Sequence, residues 1–157
     1  MVGLQIVPFK GEPEELWEFL RLNTSLKRDE SFRWLVGIEL GRGTRYFLAV
    51  LDGRRVGFVG LRLPPTHEVA GLEPPEIIDI GVMPDCRRRG VGSALLDHAV
   101  RETQRAGHAV LWVSTDGDDA GNLSFYRACS FRLAAAVPDG WGPGSIKAIM
   151  RRELSDS

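Results

Sequence analysis

Over residues 76–106 the pattern of apolar residues changes from that of a strand to that of a helix, with a short turn between them. This change restricts the possible folds more than any other feature of the sequence. Glu76–Val82 is a strand-like apolar run with proline close by on both sides, whereas Val91–Ala106 repeats apolar residues at helical spacing. Gly107 follows where a glycine commonly caps the C-terminus of a helix. A strand followed by an amphipathic helix predicts a fold of the α/β class.

A second constraint is the dipeptide Asp52-Gly53, which separates the short apolar runs Tyr46–Leu51 and Val56–Leu63. Both central residues of a two-residue hairpin turn require positive φ, so this dipeptide predicts a β-hairpin. Hairpin and β-α-β connections occur together in this chain. We therefore expect a central mixed, mostly antiparallel sheet flanked by helices.

The remaining elements follow from local patterns. Pro13 followed by two glutamates suits the first turn of a helix, where a missing N–H costs nothing and acidic charge favours the helix dipole. Proline- and glycine-rich stretches predict loops over Pro64–Pro75 and Val137–Ser145. The other predictions are helices over Asp29–Glu39 and Ala120–Ala128, and strands over Val110–Thr115, Phe131–Val137 and Ile146–Arg151.

The length of 157 residues favours one domain over residues 1–157, since separate cores arise only beyond roughly 250–300 residues. The 20 basic and 21 acidic residues nearly cancel, and this argues against a nucleic-acid-binding protein. No window approaches the roughly 18 apolar residues of a membrane span, and Met1–Lys10 has no signal-peptide pattern. We expect a cytoplasmic protein that does not bind membranes.

The cysteine and histidine content predicts neither a disulfide framework nor a metal site. Cys86 and Cys129 are too few for a disulfide scaffold in a chain of this length. The three histidines, His67, His98 and His108, lack metal-site spacing among themselves or with the cysteines. Both cysteines are expected to be thiols in a reducing compartment.

The turn that joins the strand to the helix is basic and contains two glycines. Arg87, Arg88 and Arg89 precede Gly90 and Gly92. A helix N-terminus presents unpaired N–H groups and the positive end of its dipole, and glycine lets a ligand approach these amides closely. The turn therefore predicts an anion site that suits a diphosphate.

The known phosphate-binding loops do not fit this turn. The spacing G-x-x-x-x-G-K-[ST] is absent, and Leu95 stands where a dinucleotide fingerprint has its third glycine. Kinases, GTPases and dehydrogenases are therefore disfavoured.

The spacing Arg87-x-x-Gly90-x-Gly92 after an apolar strand resembles the acyl-CoA signature of the GNAT superfamily of N-acetyltransferases. Leu111–Val113 and Phe125–Phe131 resemble the next strand and helix of that family in order and spacing. The resemblance implies the single-domain GNAT fold, in which the strand before the signature splays from its neighbour. It also implies acetyl-CoA as the co-substrate.

In that family the amides of the turn hold the CoA pyrophosphate, and the end of the preceding strand pairs with the pantetheine arm. Asp119 stands where an asparagine usually contacts this arm, so we take Asn122 as its substitute. The resemblance thus implies that the cofactor-binding residues are Gly81, Val82, Met83, Arg87, Arg88, Arg89, Gly90, Val91, Gly92, Ser93 and Asn122.

The resemblance also implies an acid and a base. Tyr126 matches the family's tyrosine that protonates the thiolate as CoA leaves. Glu76 and Asp79 are both candidates for the base that deprotonates the amine, and strand alternation places them on opposite faces. We favour Glu76, and a water chain relaying to either acid stays open.

Together these features predict an N-acyltransferase that moves an acetyl group from acetyl-CoA to a primary amine by direct attack in a ternary complex. The acceptor is an amine-bearing small molecule or a peptide, and a homodimer is compatible with the sequence. The alternative is a non-catalytic acyl-CoA-binding regulatory module, which would keep the basic turn and lose the acid and the base. An RNA-binding domain is disfavoured because exposed aromatic residues do not alternate with the arginines.

Overall fold

The computed structural model describes residues 2–21, 37–64 and 74–154. The strands are β1 (Leu4–Pro8), β2 (Arg45–Leu51), β3 (Arg54–Arg62), β4 (Glu76–Val82), β5 (Val110–Asp116), β6 (Arg132–Pro138) and β7 (Ile146–Glu153). The helices are α1 (Pro13–Leu20), α2 (Val91–Arg105) and α3 (Ala120–Ala128), with a 3₁₀ turn at Pro84–Cys86 and helical residues at 37–41. The strands form a sheet in the order β1-β2-β3-β4-β5-β7-β6, which confirms the predicted α/β class.

Most predicted elements agree with the structure to within two residues at each end. β1 was not predicted, because five residues near a chain end carry too little periodicity. The predicted helix Asp29–Glu39 lies outside the described residues except for its last part, where residues 37–39 are helical. The predicted loop Pro64–Pro75 also lies mainly outside them. Within the described chain, no helix is both long and apolar enough to cross a bilayer.

The described residues form two compact units, of which the first comprises Met1–Arg62 and Asp79–Ala99. It contains the antiparallel meander β1–β2–β3. Asp52 and Gly53 have φ of +50° and +82°, as the predicted hairpin turn requires. α1 packs on one face of this meander, where the buried cluster consists of Leu16, Trp17, Leu20, Tyr46, Leu48 and Phe58.

The first turns of α2 pack on the other face of β3, where Gly57 allows a close approach. A Cβ atom at Gly57 would lie 2.9 Å from the carbonyl oxygen of Gly81 and 3.0 Å from Cδ1 of Leu95. The apolar stripe predicted for α2 is buried, as shown by Val91 and Leu95. Glycine at position 57 therefore sets how closely β3, the end of β4 and α2 come together.

The second unit comprises Leu63–Ile78 and Val100–Ser157. It is built on the antiparallel strands β5, β7 and β6. The start of β4 runs parallel to β5, and the ladder pairs only Glu76 and Ile77 with β5. This short ladder agrees with the expected divergence of the two strands. β6 is the edge strand, and all seven of its residues are exposed.

Candidate active site

The basic turn after β4 has a defined backbone geometry. The N–H of Met83 donates to the carbonyl of Val56 (2.8 Å), and the N–H of Cys86 donates to the carbonyl of Met83 (2.9 Å). Arg88 and Gly90 then adopt φ of +62° and +82°, a region that favours glycine. These conformations turn the chain from the end of β4 into the start of α2.

An ion pair that the sequence did not reveal holds the turn against β3. Nη1 and Nη2 of Arg54 lie 2.8 and 3.1 Å from the two carboxylate oxygens of Asp85. This hydrogen bonding lowers the pKa of Asp85 and raises that of Arg54. Because Arg54 neutralises Asp85, this carboxylate does not offset the charge of Arg87, Arg88 and Arg89.

Cys86 lies beneath this ion pair and is 2% exposed. Its Sγ is 3.8 Å from Nη1 of Arg54 and 3.6 Å from Oδ1 of Asp85. Neither Cys86 nor Cys129 is in a disulfide bond. Within the described residues, no group of three or more histidine, cysteine, aspartate or glutamate side chains is arranged to hold a metal ion.

The backbone amides of the turn are available to a ligand. Within the part of the chain that the structure describes, no amide from Arg87 to Ser93 has a hydrogen-bond partner. Arg88, Arg89 and Gly90 are exposed, whereas the Val91 side chain is buried and anchors the start of the helix. A run of unpaired amides at the positive end of a helix, beside three arginines, fits a diphosphate group.

The end of β4 contributes less backbone to a ligand than the sequence suggests. The N–H of Met83 donates to Val56 of β3, and its C=O accepts from Cys86 within the turn. Nε of Arg87 donates to the carbonyl of Val82 over 3.3 Å, which ties the arginine side chain to the strand. The carbonyl oxygen of Gly81 lies close to Gly57. Pairing of this strand with a pantetheine arm would therefore not rest on the backbone of Met83.

In the second unit, β4 and β5 place Glu76 beside Trp112. Their neighbours Ile77 and Val113 pair on the opposite face and are each 2% exposed. Asp79 is two residues from Ile77, so strand alternation puts it on the same face as Ile77 and opposite to Glu76. Glu76 and Asp79 therefore differ in the face of the strand that they occupy, as predicted.

The position of Tyr126 follows from the way α3 begins. The carboxylate of Asp119 caps the helix by accepting from the N–H of Asn122 (2.9 Å). Nδ2 of Asn122 donates to Oγ1 of Thr115 (3.3 Å), so α3 lies over the face of β5 that carries Thr115. Tyr126, one turn later, is 6% exposed, and its ring packs against Phe131 at 5.8 Å between centroids.

The predicted site residues therefore fall into two groups. The basic turn lies in the first unit, while Glu76, Asn122 and Tyr126 lie in the second. Glu76 and Tyr126 lie toward opposite faces of β5. Arg54 and Gly57 also position the turn, and neither could be predicted from the sequence because no local pattern marks them.

A sequence profile of the acetyltransferase (GNAT) family matches residues 12–131. The chain belongs to the GNAT acetyltransferase family. Acetyl-CoA is the co-substrate of this family. The family assignment confirms the resemblance inferred from the basic turn and the Phe-Tyr pair.

The chain is similar in sequence to two proteins that are named as N-acetyltransferases. An uncharacterized N-acetyltransferase of Methanocaldococcus jannaschii is 30% identical over 112 residues, which are 70% of this chain and 47% of the relative. The ribosomal protein bS18-alanine N-acetyltransferase of Escherichia coli is 33% identical over 63 residues, which are 40% of this chain and 43% of that enzyme. This GNAT chain thus matches less than half the length of either relative.

The fold of this GNAT chain also resembles that of an aminoglycoside 6′-N-acetyltransferase solved with coenzyme A. The TM-score is 0.78 at 18% sequence identity, and the match covers 98% of both chains. The likeness confirms the fold.

Proposed function

We propose that the protein is an enzyme that transfers the acetyl group of acetyl-CoA to a primary amine. The observation that carries the proposal is the run of unpaired amides from Arg87 to Ser93, beside three arginines, in a chain of the GNAT family. In this proposal the amides of residues 88–93 hold the pyrophosphate. The backbone of Gly81 and Val82 guides the pantetheine arm, with a contact from Asn122.

Two protons leave the amine nitrogen in this reaction, and one proton is supplied to sulfur. The ammonium must lose its first proton before the lone pair attacks the thioester carbonyl carbon, and Glu76 accepts this proton directly or through water. As the C–S bond breaks, Tyr126 gives a proton to the leaving thiolate, and the second proton that the nitrogen releases on forming the amide returns to the Tyr126 oxygen through solvent. General acid and general base catalysis each contribute typically 10²–10⁴-fold.

Most of the rate enhancement comes from holding the two reactants together. Binding donor and acceptor side by side can lower the barrier by about 7–11 kcal/mol. Hydrogen bonds from backbone amides to the thioester carbonyl would further stabilise the charge that develops on its oxygen. We also propose a cytoplasmic location, because Cys86 and Cys129 are both thiols.

The relatives suggest an amine acceptor without agreeing on one. The bacterial relative is named for alanine of a ribosomal protein, and a structural neighbour for an aminoglycoside. A small molecule and a peptide therefore both remain candidates.

Two measurements test the proposal. Acetyl-CoA at a hundredfold excess over Kd should stabilise the fold by about 2.7 kcal/mol, measured as a rise in Tm. S-acetylpantetheine, which lacks the diphosphate, is the matched control and should raise Tm much less at the same concentration. Release of free CoA thiol with a panel of primary amines then measures turnover.

The outcomes separate the two candidate functions. A Tm rise without thiol release for any amine would favour the non-catalytic acyl-CoA-binding module. No Tm rise with millimolar acetyl-CoA would refute both functions.

A further inference from the structure

The face of the second unit that carries Glu76 also carries a row of large side chains in register. Glu76 of β4 lies opposite Trp112 of β5, and Trp112 lies opposite Arg151 of β7. Arg151 in turn lies opposite Arg132 of β6. Residues in register on neighbouring strands share one face of a sheet. An acid and a cation therefore stand on either side of the tryptophan ring.

The guanidinium of Arg151 is held in a fixed position. Its Cζ lies 5.2 Å from the centroid of the Trp112 ring, and its Nη2 lies 3.0 Å from Oε1 of Glu153. The same oxygen accepts from Nη2 of Arg132 at 2.8 Å. Two guanidinium groups thus share one carboxylate, and the cluster of Arg132, Arg151 and Glu153 keeps one net positive charge.

Arg151 retains one N–H donor, on Nε, that no described residue uses. Its Nε is buried and has no hydrogen-bond partner among the described residues. The side chain as a whole is 28% exposed, so it is accessible to a ligand in part. A buried N–H is normally paired, and the planar guanidinium fork matches the two oxygens of a carboxylate.

We infer that Arg151, stacked on Trp112, binds a carboxylate of the acceptor while Glu76 faces its amine. The inference rests on the proposed function and narrows its acceptor to amines that also bear a carboxylate. Neighbouring strands are about 4.8 Å apart, so the backbones of Glu76 and Arg151 are separated by about 10 Å. The two side chains can therefore reach opposite ends of an amino acid or a short peptide.

Acceptors that carry only positive charge suit this face less well. A polyamine or an aminoglycoside would place ammonium groups beside Arg151 and Arg132, and like charges at an interface disfavour binding. An amine with a carboxylate presents an opposite charge to each end of the row. The row thus discriminates between acceptors by the arrangement of their charges rather than by their size.

Matched acceptor pairs that differ only in the carboxylate test this inference by thiol release from acetyl-CoA. The pairs are lysine with cadaverine, 2,4-diaminobutyrate with 1,3-diaminopropane, and an alanyl dipeptide with its C-terminal amide. In the unmodified protein the carboxylate-bearing member of at least one pair should have a kcat/KM about tenfold higher or more. Equal kcat/KM values within every pair would overturn the inference. This comparison needs only the unmodified protein.

Arg151→Gln should lower kcat/KM for the carboxylate-bearing acceptor by about tenfold or more, mainly through a higher KM. The kcat/KM for the acceptor of the same pair that lacks the carboxylate should stay unchanged. Arg101→Gln is the matched control, because Arg101 is exposed on α2 and loses the same charge. The acetyl-CoA-dependent rise in Tm verifies that both variants are folded. An equal loss for both members of a pair would contradict the carboxylate role, whereas no thiol release with any amine would refute the enzyme itself.

Discussion

The two tyrosines of the chain have different surroundings at the residue scale. Tyr126 is buried in α3 with its ring against Phe125 and Phe131. Tyr46 is buried in the cluster beneath α1. Replacing either by phenylalanine keeps the ring and removes only the hydroxyl, so the pair separates a chemical role from a packing role.

Tyr126→Phe should lower kcat by about 10²–10⁴-fold, because in the proposed mechanism the thiolate then loses its proton donor. The acetyl-CoA-dependent rise in Tm should persist, since the proposed diphosphate site is the basic turn. Tyr46→Phe is the control and should keep its turnover. The measurement is steady-state thiol release, and an unchanged kcat in Tyr126→Phe would exclude the tyrosine from proton transfer.

The two candidate bases can be distinguished because β4 presents them to opposite faces. Glu76→Gln should remove the acidic limb of the kcat/KM–pH profile, where protonation of the base limits the rate. Asp79→Asn should keep that limb. The profiles are recorded with one amine at saturating acetyl-CoA, and identical profiles in both variants would indicate a base that is neither residue.

Local sequence singles out some residues of the candidate site. Gly90 and Tyr126 belong to short patterns, and the structure gives Gly90 a positive φ and buries Tyr126, while their roles stay predictions. The Arg54–Asp85 pair could not be predicted, because 31 residues separate its members. The stacking of Arg151 on Trp112 likewise depends on the register of β5 and β7, which no local pattern specifies.

At the element scale, the start of β3 is tied to the 3₁₀ turn by Arg54 and Asp85. Arg54 keeps the pKa of Asp85 below its usual range. Such a carboxylate stabilises the fold above its unfolded-state pKa of about 3.9, and this contribution is lost as the pH falls through the lower folded-state pKa.

Asp85→Asn should therefore lower Tm slightly near neutral pH, and the difference from the unmodified protein should close as the pH falls below about 3.9. The effect is small because both side chains are about half exposed. Asp118→Asn, which removes an exposed carboxylate that has no arginine partner in the described chain, should show no such pH dependence. A difference in Tm that persists at the acid end would contradict the ion pair.

The contact between β3 and the end of β4 gives a second prediction at this scale. Gly57→Ala would place a Cβ 2.9 Å from the backbone oxygen of Gly81, so the strands must separate. We expect a loss of about 1–3 kcal/mol in the free energy of unfolding, measured in urea. Gly41→Ala is the control, since nothing lies within 4 Å of its Cβ, and an equal loss there would refute the close approach.

Element types could be predicted better than the contacts between elements. The Asp52-Gly53 turn and the stripe of α2 carry strong local signals, and the structure confirms both. The insertion of β7 between β5 and β6 carries none, because strand order depends on which hydrophobic faces meet after collapse.

On the scale of the whole molecule, two elements belong to both compact units. β4 is divided after Ile78, and α2 is divided after Ala99. A strand or helix gains its stability cooperatively along its length, so its two parts are not expected to unfold separately. This continuity supports the expectation of one domain.

We therefore predict a single unfolding transition. Far-ultraviolet circular dichroism and tryptophan fluorescence should give the same Tm, and the calorimetric enthalpy should equal the van't Hoff enthalpy. Two separated transitions would instead identify two domains.

The burial of Cys86 beneath Arg54 and Asp85 has a practical consequence. A thiol reagent reaches this sulfur only when the segment before α2 opens locally, whereas Cys129 is partly accessible in the folded protein. The labelling rate of Cys86 therefore reports how often the basic turn opens. Acetyl-CoA bound at the turn would suppress this opening and slow the labelling, so occupancy of the proposed site can be followed without a measurement of catalysis.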